Sequence, residues 1–192
     1  GVASYFPRQR VTNEDIVNAG LDTTATAIYR GLGVKERRAA PTTETSIDMM
    51  VNVAQKILEE RDVDPISLDR IICSVDPPEA VAPNAAVAVQ ERIGARCPSF
   101  EVSMSCAGWA CGIDYAARCI ATGERSILVL AANRVGSVLP FKNLMHRAIF
   151  GDGAGGALVT ASNRSKLLAT SLWSDGAHYA DIFVPLPWTK TP

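Results

Sequence analysis

Residues 99–123, S-F-E-V-S-M-S-C-A-G-W-A-C-G-I-D-Y-A-A-R-C-I-A-T-G, begin in one periodicity and end in another. Phe100, Val102 and Met104 alternate with polar or small residues, which predicts a strand end. From Ala107 onward, Ala110, Ile113, Asp114, Ala117 and Ile120 follow a helical period, and Gly123 offers a stop. The change of period forces a sharp strand-to-helix turn at Ser105-Cys106-Ala107-Gly108. Cys106 then sits at the N-terminus of a helix. Unpaired N–H groups and the positive end of the helix dipole favour a thiolate there. Small neighbours leave room for a substrate carbonyl. This is the layout of a nucleophile elbow, with sulfur in place of a serine oxygen. A cysteine in an Ala/Gly-rich helix is also a common core residue, so the rest of the chain has to decide.

The flanking segments set the fold class. Arg70–Val75 and Ser126–Ala132 are short apolar runs that suit strands buried on both faces. Thr45 and Asp48 form a capping-box start. Behind it Ile47, Met50, Val51, Ala54, Ile57 and Leu58 fall on one helical face, with the methionines as core packing. Ala85–Ile93 reads as a helix ended by Gly94, after a loop over Asp76–Asn84 that holds three prolines. Strands alternating with helices of crossover length predict an α/β domain with a mixed, mostly parallel sheet.

The remaining segments are shorter. Gly1–Pro7 reads as the end of a strand entering a turn, Asn13 as the cap of a short helix, and Thr23–Arg30 as another helix. The charged run Val34–Arg38 reads as a solvated loop. Asn133–Arg147 reads as irregular, Ala157–Ala161 and Lys166–Trp173 as strands, and Pro185–Pro192 as a loop. The run Phe150–Gly156, F-G-D-G-A-G-G, precedes a strand and lacks the Lys-Ser/Thr ending of a phosphate loop. Close backbone packing, which only glycine permits, is the better account of it.

Composition narrows the function classes. The 192 residues suffice for one substantial core, and 20% charged residues against 47% hydrophobic ones mark an ordinary globular chain. A formal net charge of −1 gives no electrostatic case for a nucleic-acid partner. No apolar run reaches membrane-spanning length, and no stretch reads as a signal peptide. The five cysteines, Cys73, Cys97, Cys106, Cys111 and Cys119, are odd in number and contain no C-x-x-C pair. They predict a reduced, cytoplasmic protein with neither a disulfide framework nor a zinc site. His146 and His178 are the only histidines, which argues against a His-rich metal site.

Several segments, in order, resemble the thiolase superfamily, in particular beta-ketoacyl-acyl carrier protein synthase III and its relatives. Ser4-Tyr5-Phe6-Pro7 with Thr12-Asn13 is similar to the family's opening S-Y-x-P and T-N. Gly33-Val34-Lys35-Glu36-Arg37 is similar to its G-I-R-E-R, and Ala82-Pro83-Asn84-Ala85-Ala86 to its F-P-S-A-A. Val102–Gly108 resembles the segment carrying the nucleophile, Phe150–Ala154 the F-G-D-G-A motif, and Ser174-Asp175-Gly176 with Leu186-Pro187 a later pair of motifs.

The resemblance implies a thiolase-like fold, with residues 1–192 forming the N-terminal half of a layered αβαβα architecture and the C-terminal half outside this chain. It implies Cys106 as the acylated nucleophile, with an acyl group arriving from a CoA or acyl carrier protein thioester. No separate cofactor is implied. In the intact enzyme a malonyl-type extender then condenses with the acyl group, using a His and an Asn from the second half. Neither His146 nor His178 matches that histidine. Ala82 stands where many members have a Phe in the acyl-pocket wall, so a larger acyl group fits and specialised metabolism is favoured.

Ala27 and Gly31 stand where many members carry the Trp and Arg that hold CoA, with Tyr29 and Arg30 nearby. This favours a carrier-protein donor or an altered CoA site. Arg30, Ala82 and Trp109 are the candidate substrate-binding residues. A homodimer is implied, with the Ala82 loop reaching the neighbour's pocket. Two other readings stay open: transfer of the acyl group to an alcohol or amine without decarboxylation, and a non-catalytic partner subunit of a ketosynthase complex. A dinucleotide-binding domain is disfavoured, because no G-x-G-x-x-G follows an early strand.

Overall fold

The computed structural model describes residues 1–138, 144–164 and 167–181. In chain order the elements begin with β1 (Val2–Tyr5), β2 (Gln9–Thr12), α1 (Asn13–Asn18), α2 (Ala25–Leu32) and β3 (Glu36–Ala39). Then come α3 (Ser46–Arg61), β4 (Arg70–Asp76), α4 (Ala85–Ile93), β5 (Ser99–Glu101) and α5 (Gly108–Ala121). The last are β6 (Ser126–Asn133), α6 (Val135–Val138), α7 (Leu144–Ile149) and β7 (Gly153–Thr160). No helix among the described residues is long and apolar enough to cross a membrane.

Five strands form one sheet in the order β1-β7-β6-β4-β5. β4 is parallel to both β5 and β6, β7 is antiparallel to β6, and β1 is antiparallel to β7. Only β7 therefore runs against the others, and the sheet is mixed and mostly parallel, as expected. β5 lies at its edge. α3 and α4 cover one face and α5 the other, giving three layers.

Local chemistry explains the main elements. α3 starts with a true capping box, in which the Thr45 hydroxyl accepts from the Asp48 N–H and Asp48 accepts from the Thr45 N–H. Met49, Met50, Val53, Ala54 and Ile57 are fully buried against the sheet. Each of the larger side chains contributes about 1.5–3 kcal/mol by leaving water. α4 is capped by the Asn84 side chain and closes on Gly94 in the left-handed region. The Glu101 carboxylate, from β5, also accepts the Ala85 N–H at 2.9 Å and fixes the start of α4 to that strand.

Several expectations change. Thr12, not Asn13, caps α1. Thr23–Arg30 becomes Ala25–Leu32 behind a Thr24 cap, with Gly31 inside the helix. The charged run Val34–Arg38 is no loop, because Glu36–Ala39 pairs antiparallel with β2. Arg37 faces inward from that ribbon. Its guanidinium donates to Asn13 Oδ1 at 2.8 Å and to the Ala148 carbonyl at 2.7 Å, tying the ribbon to α1 and α7. Part of Asn133–Arg147 is helical, as α6 and α7. β7 starts at Gly153, inside the glycine run. Residues 167–173 form no strand, and Lys166 and Pro185–Pro192 lie outside the described residues.

The glycine run is a packing device. A Cβ at Gly156 would lie 2.6 Å from Leu130 Cδ2 and 2.7 Å from Val53 Cγ1. The absent side chain lets α3 settle on β7. Asp152, within the same run, accepts the Ala40 N–H at 2.8 Å and links the sheet to the chain beyond β3.

Candidate active site

β5 ends at Glu101, and the chain then turns through a short irregular stretch into α5. Ser105, just ahead of Cys106, takes a left-handed conformation at φ 42°. Such a φ is costly for a non-glycine residue and marks a turn held by its surroundings. Ser105–Ala107 form one 3-10 turn that runs directly into α5. Cys106 is the second residue of this turn, where the first N–H groups have no partner within the helix itself.

α5 approaches the sheet more closely than its apolar pattern predicts. The closest face is Gly108, Gly112, Ala116 and Cys119; of the expected row Asp114 is buried, Ile113 and Ile120 pack against the sheet, Ala117 is half-buried and Ala110 is exposed. A Cβ at Gly108 would lie 1.8 Å from Ser74 Oγ and 2.7 Å from Ser74 Cβ, and one at Gly112 would lie 2.9 Å from Val129 Cγ1. Small residues therefore face the sheet and set the height of the turn. Asp114 is 7% exposed and binds Arg118 Nε at 2.8 Å. The Arg118 guanidinium, with the Thr170 hydroxyl, holds its carboxyl below the usual carboxylate range.

Gly108→Ala is expected to push α5 off β4, lowering stability by about 1–3 kcal/mol through overpacking. It should also slow alkylation of Cys106 by iodoacetamide, because the turn moves with the helix. Thermal unfolding and alkylation rates check this, and adding Ser74→Gly should restore both.

Cys106 is the exposed cysteine of the five; Cys73, Cys97 and Cys119 are buried and Cys111 is half-buried. Burial, with a smaller contribution from Glu101, pushes the Cys73 thiol up, and burial also raises Cys97 and Cys119. Buried thiols of this kind are inert packing groups. Cys106 instead opens on a cavity of about 260 Å³ at the ends of the strands. Ser105, Cys106 and Trp109 form one wall, Ser74 and Asp76 of β4 and Asn133 of β6 the floor, and Gly153–Gly155 of β7 with Phe6 the far side. The carboxyl ends of parallel strands are the usual binding edge of an α/β sheet.

The structure thus brings Cys106 and Trp109 together. Ala82 lies exposed in the loop before α4 and Arg30 lies exposed in the last turn of α2; neither lines this cavity. His146 is exposed on α7, and His178 is exposed with its Nδ1 2.8 Å from Asp181 Oδ2; both stand outside the cavity as well. Sequence reasoning missed Ser74, Asp76 and Asn133. Their signal was present: polar residues ending two apolar strands on the face toward the elbow.

The fold has known relatives. The family model for 3-oxoacyl-[acyl-carrier-protein (ACP)] synthase III matches residues 100–176, the stretch from β5 through β7 and beyond. The crystal structure of 3-oxoacyl-[acyl-carrier-protein] synthase III from Aquifex aeolicus VF5 is 32% identical, with a TM-score of 0.87, over 92% of this chain and 58% of that one. The beta-ketoacyl-[acyl carrier protein] synthase III of Thermus thermophilus has a TM-score of 0.90 over 97% of this chain and 58% of its own; at 24% identity it speaks for the fold alone. The priming beta-ketosynthase of the R1128 polyketide biosynthetic pathway is 33% identical, with a TM-score of 0.78, over 85% of this chain and 49% of its own. The chain spans a little over half the length of the first two of these proteins and about half of the third. By its fold, its motifs and these matches, the chain is similar to the beta-ketoacyl-acyl carrier protein synthase III proteins of the thiolase superfamily.

Proposed function

We propose that this protein is an acyltransferase that forms an acyl-cysteine at Cys106. The supporting observation is a single exposed thiol on a tight strand-to-helix turn, opening on a cavity at the carboxyl edge of the sheet. The acyl donor is a thioester of CoA or of acyl carrier protein. Sγ of Cys106 attacks the thioester carbonyl, and negative charge gathers on its oxygen. The N–H of Cys106 is the donor placed to meet that charge. The new S–C bond forms as the donor's C–S bond breaks, and the donor leaves as a thiol carrying the proton that Cys106 gave up. Exchange of one thioester for another is close to balanced in energy, so positioning supplies most of the help the step needs.

In the intact enzyme the acyl group then condenses with a malonyl-type extender. That step needs the His and Asn that the family resemblance assigns to the other half of the fold. The likeness to a priming ketosynthase of a polyketide pathway supports a role in specialised metabolism. Ala82, exposed on its loop, is the residue we assign to the acyl pocket of a partner copy in a homodimer. Arg30, with Tyr29 45% exposed beside it on α2, is assigned to the donor's phosphate-bearing arm. Free cysteines at all five positions fit a reducing, cytoplasmic setting.

The test is the intact mass of the full-length protein before and after incubation with acyl-CoA and acyl-carrier-protein thioesters, followed by peptide mapping. The expected result is a mass gain equal to the acyl group, mapped to Cys106. A folded full-length protein that gains no mass from any donor would support the partner-subunit reading instead.

A further inference from the structure

Two side-chain hydrogen bonds lash α4 to β5. Gln90 Nε2 donates to the Cys97 carbonyl at 2.9 Å, just ahead of the strand. At the other end Glu101 Oε2, on the last residue of β5, accepts the Ala85 N–H at 2.9 Å. Ala85 is the first residue of α4, and Asn84 already caps that helix by accepting the Val87 N–H at 3.2 Å. The helix therefore has its local start signal without Glu101. What the carboxylate adds is a charge-assisted bond at the positive end of α4, made by a residue from another element.

Strand alternation carries this bond across the sheet. Glu101 pairs in register with Cys73, whose side chain lies in the core with α3 and α4. Phe100 and Val102 instead pack on the α5 side, with Ile72 and Ala116. Val102 gives its N–H to the Cys73 carbonyl at 2.8 Å, and its own carbonyl lies 3.6 Å from the point where a Cβ on Gly108 would stand. Cys106 is four residues beyond Val102, and Ala82 is three residues before Ala85. The Glu101–Ala85 bond is thus a short route between the Ala82 loop and the Cys106 turn. Both of its partners belong to this chain and meet between β5 and α4, on the face of the sheet away from α5.

We propose that Glu101 is a positioning residue for the acyl transfer, holding the Cys106 turn in fixed relation to the Ala82 loop through the Ala85 N–H. This rests on the acyl-cysteine reading. Glu101 acts from the opposite face of the sheet, so it neither binds the donor nor moves a proton. Its effect is on the orientation of Sγ toward the thioester carbonyl. Orientation is where a small displacement costs rate without costing affinity.

The experiment follows acyl-Cys106 formation in the full-length protein with acetyl-, butyryl- and decanoyl-CoA and the matching acyl carrier protein thioesters. Donor concentration is varied, the product is read by intact mass and peptide mapping, and thermal unfolding is run on the same samples. Glu101→Ala should lower the rate at saturating donor by about 10–100-fold and shift the half-saturating concentration by less than about twofold. Glu101→Gln keeps an oxygen for the Ala85 N–H and should recover most of the rate. Ala85→Pro removes that N–H and leaves Glu101 in place. Proline suits the first position of a helix, and Asn84 before it already has an extended ψ of 156°. This variant should show the same loss, and it carries the test where Glu101→Ala unfolds. The double variant should be no slower than either single one. A wild-type rate in folded Glu101→Ala or Ala85→Pro protein would overturn the proposal. So would a Glu101→Gln protein as slow as Glu101→Ala, or a loss seen only in the half-saturating concentration. Any of these, beside a wild type that acylates, defeats this proposal alone. Absence of acyl-Cys106 in the wild type with every donor defeats the acyl-cysteine reading and this proposal together.

Discussion

Cys106→Ala is expected to abolish thioester-dependent acylation while leaving the fold intact. Loss of a covalent nucleophile costs on the order of 10⁴-fold or more in rate. The four remaining thiols do not substitute for it. Cys73, Cys97 and Cys119 are buried, with their thiols pushed up, and Cys111 points partly into the protein one turn and a half further along α5. Stability should move by less than about 0.5 kcal/mol, because the Cys106 side chain is exposed and its loss opens no core cavity. The pairing of these two outcomes is the informative part. Thermal unfolding and intact mass, run on the same sample, separate a chemical role from a structural one. A Cys106→Ala protein that still takes up acyl groups would place the nucleophile elsewhere. One that unfolds would make Cys106 a packing residue.

The turn that carries Cys106 was legible because two periodicities meet there and cannot be reconciled without it. The helices α3 and α4 were legible for the same kind of reason, since Thr45, Asp48, Asn84 and Gly94 are local signals that act within one turn. What the sequence hid depends on distant partners. β3 looks like a solvated loop because Lys35, Glu36, Arg37 and Arg38 put four charges in a row. Only β2, some 25 positions earlier, and the acceptors Asn13 and Ala148 make Arg37 an inward residue. The inward face of α5 was legible in part, because hydrophobicity finds Ile113 and Ile120 but not the glycines that touch the sheet. Close approach to Ser74 and Val129 selects for small side chains instead, and leaves Trp109 and Tyr115 facing out. Asp76 escaped notice for a related reason. As the last residue of a buried strand it looks like the beginning of a loop, and only the register with Asn133 shows that it floors a cavity.

Glu79→Ala is expected to be the most destabilising single change in the loop that carries Ala82. The loop between β4 and α4 has three prolines and no regular hydrogen bonding of its own, so tethers hold it. Glu79 supplies two of them from one oxygen. Oε1 accepts the Ser46 N–H at the start of α3, where the helix dipole favours a negative charge, and sits 3.4 Å from Arg134 Nη1. The Arg134 side chain is 8% exposed and its Nε has no partner among the described residues, so Glu79 is the counter-charge that makes its burial tolerable. Removing the carboxylate strands a buried guanidinium, which costs about 3–5 kcal/mol. Removing both charges should cost far less, because a buried pair gains little over apolar groups of similar size. Glu79→Ala with Arg134→Met should therefore recover most of the stability lost in Glu79→Ala. Denaturant unfolding of the two single variants and the double variant measures the coupling. Additive losses would mean that Glu79 acts through α3 alone. Recovery in the double variant would show that the pair anchors the Ala82 loop to the end of β6, where Arg134 follows the cavity-lining Asn133.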